Sequence, residues 1–442
     1  MFKDKFFFFK RYLFNKKDYD EFSILMSNIN SLNHDELRAL NFYKRKILVD
    51  FSFENNAFYE KKYKQVGYEL NGIKSESDFS ALPVLEKDEI REFGRDFISS
   101  GYDLSSLSAS VTGGTTGKPL KTYRSKRDPI VPISWRALSS WGLSPADNSG
   151  YLSRVIPSKI GGVMQNLLLW PTKRCWISAM HMTDAEMNIF YQKLIKNKTK
   201  YLVGYVGAID NFASYLERNN LIIDHLEVVW TTASPLPEIK RVKLETIFNC
   251  SVYIQYGSCE FYWLATECMK KEGLHISNDV RHIEVLDDFN NPIADSFGDI
   301  VATDLTNFAF PLIRYRLGDR GRILSKNCSC GSPLPLLDYV QGRNSDNIYT
   351  RSGGIIPGEY WTTIFDAYPN MVRMFQVYQR SDFTVEVRYE TDTEMDISDS
   401  DKNLIISDIQ NKTFSEVRLE LILTKIENHS GKFRFVFSEL QK

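Results

Sequence analysis

Residues Ser110 to Tyr123 read SVTGGTTGKPLKTY, three glycines, four threonines and two lysines in fourteen positions. Glycines permit tight or left-handed turns, hydroxyls and exposed N–H groups can wrap phosphate oxygens, and lysine adds charge. The chemistry suggested is the holding of a polyanion. A nucleotide P-loop would put four residues between the glycines and a Ser or Thr after the lysine. Here Gly114, Thr115 and Thr116 alone separate Gly113 from Gly117, and Pro119 follows Lys118. The Walker spacing fails, and the alternative for the segment alone is an ordinary Gly-rich turn.

Four further polar islands follow strand-like runs. QYGSCE (255–260) is a glycine turn at a strand end that presents Glu260, and FPLIRYRLGDRG (310–321) places Asp319 after a glycine. GRNSDNIYTRSGGIIP (342–357) clusters Gly, Asn, Ser and Asp, and NHSGKFRFV (428–436) offers Lys432 on a glycine turn before a strand. Taken singly, each charge reads as a solvated turn residue. A separate constellation pairs ECMKKEGLHI with NCSCGSP, giving Cys268, His275, Cys328 and Cys330. Three thiols and an imidazole suit tetrahedral zinc, with the Cys-x-Cys-Gly turn presenting two ligands; free reduced thiols are the alternative. All four positions would be filled by protein, so the role would be structural.

Elements of two kinds must carry these islands. From about Leu32 to Arg95 the pattern is mostly helical, as in DELRALNFYKRKILVDF. Strands and helices then alternate: LEVVWTTAS and SVYIQYGS read as buried strands on either side of the amphipathic helix LPEIKRVKLETIF, the signature of a layered α/β domain. RHIEVL and GDIVATDL read as strands of a more β-rich subdomain. The composition shift at 340–360 sets the domain boundary: residues 1–342 form a large domain, with 1–95 its helical start, and residues 343–442 a small α+β domain built from TVEVRYE, the helix around NLIISDIQNKTF, VRLELILTKI and FRFVF.

The 442 residues exceed the ~250–300 at which one core stops growing, so more than one domain is expected. With 55 basic and 56 acidic side chains the net charge is −1, and nothing in the overall charge argues for a nucleic-acid or acidic-membrane partner. The opening MFKDKFFFFKRYLFNKK mixes an apolar run with lysines; its run is too short for a signal h-region, and it reads as a helix packed on the body, with weak membrane-surface contact as the alternative. Six cysteines without an export signal read as reduced thiols in a cytoplasmic chain.

In this order and spacing the islands resemble the adenylate-forming acyl and aminoacyl synthetase superfamily, within it the branch of phenylacetate–CoA ligase and the capsular-polysaccharide proteins similar to it. The resemblance covers roughly Ser100 to the C-terminus. TGGTTGKP is similar to the family's phosphate loop, YGSCE to its Tyr-Gly-x-x-Glu, YRLGD to its Tyr-Arg-x-Gly-Asp, GRNSD to its Gly-Arg-x-Asp-Asp hinge and SGKFR to its closing Gly-Lys segment. GYVGAIDNFASYL resembles the branch's Gly-Tyr-Pro-Ser helix, with Val206 and Gly207 in place of Pro-Ser.

What the resemblance implies is an α/β fold: a large N-terminal domain of mixed sheets, flanking helices and a β-rich part, with a small mobile C-terminal domain. The chemistry implied is attack of a carboxylate on the α-phosphate of ATP, then displacement of AMP by an amine, alcohol or thiol. Thr112, Gly113, Gly114, Thr115, Thr116, Gly117 and Lys118 would cradle the β- and γ-phosphates, and Glu260 would help to bind Mg2+. Tyr256 and Gly257 would line the adenine and carboxylate site, Asp319 would bind the ribose hydroxyls and Arg343 would support ribose or phosphate. Lys432 would reach the α-phosphate from the small domain, which would turn about Asp346. Some members of the branch carry a site comparable to the Cys/His set.

Three departures stand out: Ser234 replaces the glutamate of Gly-Glu-Pro, Ser345 replaces the first hinge acid, and TRSGGIIP lacks the asparagine or valine of many relatives. The acceptor is an amine or sugar in surface-polysaccharide assembly, or CoA in an acyl- or aryl-CoA ligase; a non-catalytic nucleotide-binding relative is the alternative from another class. Pocket walls are expected in Val155–Pro171 and Cys175–Thr183, where Trp170, Trp176 and His181 are candidates for pocket or core.

Overall fold

The computed structural model describes residues 2–112, 120–126, 130–179, 182–340, 347–356, 358–361, 364, 365, 368, 371, 372, 374–391, 396–413, 415–426 and 436–440. Four helices open the chain: α1 (Phe2–Phe14), α2 (Lys16–Ser31), α3 (His34–Asn55) and α4 (Ala57–Lys64). The start of α3 is fixed by a capping box in which the Asn33 side chain accepts from the Glu36 amide and the Glu36 carboxylate accepts from the Asn33 amide, satisfying two otherwise orphaned donors. The helical start thus extends through the Phe-rich terminus.

A hairpin follows, β1 (Leu107–Thr112) against β2 (Leu120–Ser125), antiparallel with Thr112 opposite Leu120. The main body is a nine-stranded sheet. Its parallel half consists of β3 (Ser149–Ser153), β4 (Arg174–Ser178), β5 (Tyr201–Tyr205), β6 (Val228–Thr232) and β7 (Ser251–Tyr256), in the order β4-β3-β5-β6-β7. The antiparallel half continues through β8 (Ala265–Glu267) and β9 (Leu274–Ile276). A separate three-stranded antiparallel sheet joins β10 (Arg281–Leu286), β11 (Gly298–Asp304) and β12 (Tyr315–Gly321). Two short strands, β13 (Ile323–Leu324) and β14 (Leu336–Leu337), then return to the large sheet beyond β9.

The parallel half is covered on both faces, as its near-continuous apolar strands require. Leu202, Val229 and Val252 look toward one core shared with Phe190, Leu194, Ile209, Phe212 and Leu244 of the crossover helices Asp184–Asn197, Val206–Arg218 and Glu238–Phe248. Their strand neighbours Tyr201, Val228, Trp230 and Tyr253 look the other way, against Ile133, Ala137 and Leu138 of the helix Ile130–Ser140 and Leu25 of α2. Over that helix α1 seats Phe7, whose ring meets Trp135 at 5.5 Å between centroids. The sequence expectation of a packed N-terminal helix agrees with this contact.

The small unit holds β15 (Ile348–Tyr349), β16 (Ile355–Ile356), β17 (Met374–Gln379), β18 (Thr384–Glu390), β19 (Arg418–Leu423) and β20 (Val436–Ser438). Four of these form a mixed sheet in the order β19-β18-β17-β20, accompanied by the helix Asp399–Lys412. Its core, with Trp361, Phe375, Val387, Tyr389 and Ile405, is distinct from the large one.

Candidate functional site

Four of the sequence-selected residues, Tyr256, Gly257, Glu260 and Asp319, lie where β7 ends beside β12. The Tyr256 hydroxyl, on the last residue of β7, donates to Asp319 Oδ2 of β12 at 3.0 Å. Gly257 then begins the turn. A Cβ at Gly257 would stand 1.8 Å from the carbonyl oxygen of Tyr262, so the turn folds back on itself at a distance that only glycine allows. Glu260 ends this return, 7% exposed, with Oε1 accepting from the Tyr315 hydroxyl at 2.9 Å.

The turn is held by its main chain. Gln255 donates from its side-chain amide to the Tyr262 carbonyl at 2.7 Å and accepts from the Thr232 hydroxyl at 2.6 Å, which ties β6 to the far side of the loop. Arg281, fully buried, donates to the carbonyls of Phe261 and Trp263 at 3.2 Å each and pairs with Asp304 at 2.6 Å. Arg124, on β2, donates to the Glu260 carbonyl and pairs with Asp304 Oδ2 at 2.8 Å. Burial would push the Asp304 carboxyl up; the two guanidiniums more than offset this and hold it below the usual value.

Both arginines therefore satisfy backbone oxygens and Asp304. Among the described residues no cation pairs with the Glu260 carboxylate, whose named partner is the neutral Tyr315 hydroxyl. A buried, uncompensated carboxylate with hard oxygen donors fits a Mg2+ ligand. The hairpin places the Gly-rich segment on the same framework: β1 and β2 converge on the pair Thr112 and Leu120, and Arg124, four residues along β2, binds the loop of Glu260. Thr112 closes β1. Gly113, Gly114, Thr115, Thr116, Gly117 and Lys118, together with Arg343, Asp346, His181 and Lys432, lie outside the described residues.

The four sulfur and imidazole residues come together at the antiparallel end of the large sheet. Cys268 follows β8, His275 lies in β9, and Cys328 and Cys330 occupy the loop between β13 and β14. Their ligand atoms all lie within 4.8 Å of one another. Cys268 Sγ is 3.6 Å from Cys328 Sγ, and Cys330 Sγ is 3.4 Å from His275 Nε2. A tetrahedral zinc with Zn–S near ~2.3 Å has ligand edges of about 3.5–4 Å, so the set fits that ion. His275 Nδ1 faces the Leu334 carbonyl at 3.3 Å, the outer bond that turns Nε2 toward the cluster. Burial lowers the imidazole below its ordinary value, favouring the neutral ligand form.

No protein-family model matches the chain. Protein CapK of Staphylococcus aureus is 24% identical over 417 residues, covering 88% of this chain and 86% of that protein. The phenylacetate-coenzyme A ligase of Thermus thermophilus is 24% identical over 379 residues, covering 81% of each. The solved structure of 2-hydroxyisobutyryl-CoA ligase with 2-HIB-AMP and CoA in the thioesterification state superposes with a TM-score of 0.63 at 17% identity, over 93% of this chain and 92% of that one. In sequence the chain is thus similar to CapK and to phenylacetate-coenzyme A ligase, and in fold to a solved CoA ligase. Its architecture is that of the adenylate-forming ligases, a larger N-terminal part followed by a smaller C-terminal one.

Beside the motifs quoted from the sequence stand residues that the sequence alone did not single out. Arg124 reaches the Glu260 turn across 136 positions and Arg281 reaches it across about 20, with Asp304 pairing both, which no local pattern reveals. Tyr315 lay inside the quoted YRLGD, but its role toward Glu260 needed the strand pairing to emerge. Trp170, a candidate for pocket or core, stands 56% exposed, and Trp176 lies on the edge strand β4 stacked on Tyr151.

Proposed function

We propose that the chain uses ATP to activate a carboxylate as an acyl-adenylate, releasing pyrophosphate, and then passes the acyl or aminoacyl group to an acceptor. The observation that carries this reading is that Asp319 and Tyr315 of β12 bond Tyr256 and Glu260 at one turn, with the hairpin of the Gly-rich segment braced against it through Arg124. In the proposal Asp319 accepts from the ribose hydroxyls, Tyr256 and Gly257 border the base and the carboxylate, and the backbone and hydroxyls of residues 112–118 hold the outer phosphates. Arg343 supports ribose or phosphate. Mg2+ held by Glu260 would neutralise charge on the phosphates while two anions approach each other. Lys432 would place its ammonium between the α-phosphate and the carboxylate oxygen, with residues 343–442 turning about Asp346 for the transfer step and residues 1–342 as the fixed body.

The acceptor is an amine or sugar in surface-polysaccharide assembly, a context supported by the likeness to CapK along most of both chains. A second reading, an acyl- or aryl-CoA ligase, is supported by the likeness to phenylacetate-coenzyme A ligase over 81% of each chain. The Cys268, His275, Cys328 and Cys330 set is proposed as a structural zinc site without an open position. ATP–pyrophosphate exchange over a panel of carboxylates, with products from CoA and from amine acceptors identified by mass, tests the function. Exchange with no carboxylate would sink it, and the acceptor consumed decides between the two readings.

A further inference from the structure

Two neighbouring helices turn their apolar faces to the outside. In the helix Lys159–Leu169, Gly162 faces Trp176, and the Asn166 side chain bonds the backbone of Arg174 at 2.6 and 3.0 Å. Ile160, Val163, Met164, Leu167 and Leu168, spaced i, i+3, i+4, i+7 and i+8, are exposed, Ile160 by 78%. This inverts the usual amphipathic helix, in which the apolar stripe is buried. In α1, Phe7 is buried against Trp135, while Phe2, Phe9 and Leu13 form an exposed outer stripe with the half-buried Phe6 between them.

The two faces are joined. The Phe6 ring meets Trp170 edge-on at 5.3 Å, and Lys10 donates to the carbonyls of Leu168 and Trp170 at 2.9 and 3.0 Å, capping the end of the second helix. Nearly half of the exposed large apolar side chains among the described residues lie in residues 2–14 and 155–170. Such an area on a soluble surface marks a place where something docks.

Charge identifies the occupant. The net charge of the whole chain is −1, yet residues 2–17 carry six basic side chains against Asp4 alone, and residues 150–183 contain Arg154, Lys159, Lys173 and Arg174 with no acidic residue. Lys5, Lys16, Lys17 and Lys173, within or next to these two segments in the chain, are exposed. We infer that α1 and the helix Lys159–Leu169 together dock the protein on an anionic lipid surface, apolar side chains entering the headgroup and acyl boundary and the lysines meeting lipid phosphates. No helix is long and apolar enough among the described residues to cross a membrane, so the attachment is interfacial. Residues 155–171, expected from the sequence to wall the substrate pocket, here turn their apolar side chains outward, and the inference rests on that exposed face rather than on the proposed reaction.

The test uses the full chain in flotation with phosphatidylcholine vesicles with and without phosphatidylglycerol. Binding should require phosphatidylglycerol and weaken at high salt. Leu13→Glu combined with Leu167→Glu should lower the bound fraction at least about tenfold with an unchanged melting temperature, since both side chains are exposed. Lys16→Glu with Lys17→Glu should reduce the preference for the anionic vesicles. Absence of binding to either vesicle, or binding undiminished in the leucine double variant, overturns the inference. So does a dimer in sedimentation that the same double variant dissociates, for then a second copy covers the face.

Discussion

The Glu260 turn and the Cys/His cluster are carried by one sheet, the turn leading into β8 and Cys268 following it, and are held together in opposite ways. At the turn every buried charge in the frame has a protein partner: Asp304 sits between Arg124 and Arg281, and both arginines also reach backbone oxygens. At the cluster no cationic side chain among the described residues pairs with the thiols. Burial pushes the Cys328 thiol up to about 12 and raises Cys268 as well, so the thiolates that bind a metal are costly without a dication. A frame complete in itself can leave Glu260 uncompensated for a transient ligand; a cluster lacking its counter-charge calls for a permanent one.

That contrast is broken most directly at Asp304. Asp304→Asn leaves two buried guanidiniums without their charge partner, a loss of about 3–5 kcal/mol, and chemical denaturation should show it. Lys432→Ala should lower adenylate formation by ~10²–10³ with unchanged stability, while a synthetic acyl-adenylate is still consumed with the proper acceptor. Asp346→Pro should impair transfer more than adenylation. Equal loss of both half-reactions in folded Lys432→Ala protein contradicts the division of roles.

Glu260→Gln keeps an oxygen for Tyr315 and removes the charge, so pyrophosphate exchange should fall by about 10² and require more Mg2+; an unaltered Mg2+ dependence removes Glu260 from metal binding. At the cluster the same kind of substitution should act on stability instead. Purified without chelator, the protein should carry about one zinc per chain, and Cys328→Ser with Cys330→Ser should lose it together with several degrees of melting temperature. Elemental analysis of well-folded protein without metal refutes the site.

The smallest effect is in acid. The carboxyl of Asp304 is held below its usual 3.8, so its contribution to stability is complete above that value and is lost as pH falls through the lowered folded value. The acid limb of a stability profile should therefore steepen below pH 3.8 and flatten in Asp304→Asn.

The sequence carried the order of motifs and the parallel strands, because each strand's apolar run and each glycine turn is a local signal. The helix expected in LPEIKRVKLETIF is Glu238–Phe248, and the strand in SVYIQYGS is Ser251–Tyr256. The Cys/His set was also legible, since ligand types are few and each pair is closely spaced, although the two pairs lie more than fifty positions apart. What could not be read were partners distant in the chain. Nothing near Arg124 predicts Asp304, and nothing in the polar count of VIPSKIGGVMQNLLLWP says that its apolar face would point outward. Such outcomes depend on which faces other elements have already covered.

Gly257 sets a limit on how this turn can change. The Tyr262 carbonyl that would collide with any Cβ there is also the acceptor that Gln255 uses to clasp the loop. Even alanine, the most modest replacement, would have to evict that oxygen, and with it the spacing between the phenol of Tyr256 and the carboxylate of Glu260. Mutational drift at this position has no gradual route: the two groups keep their separation or lose it in a single step.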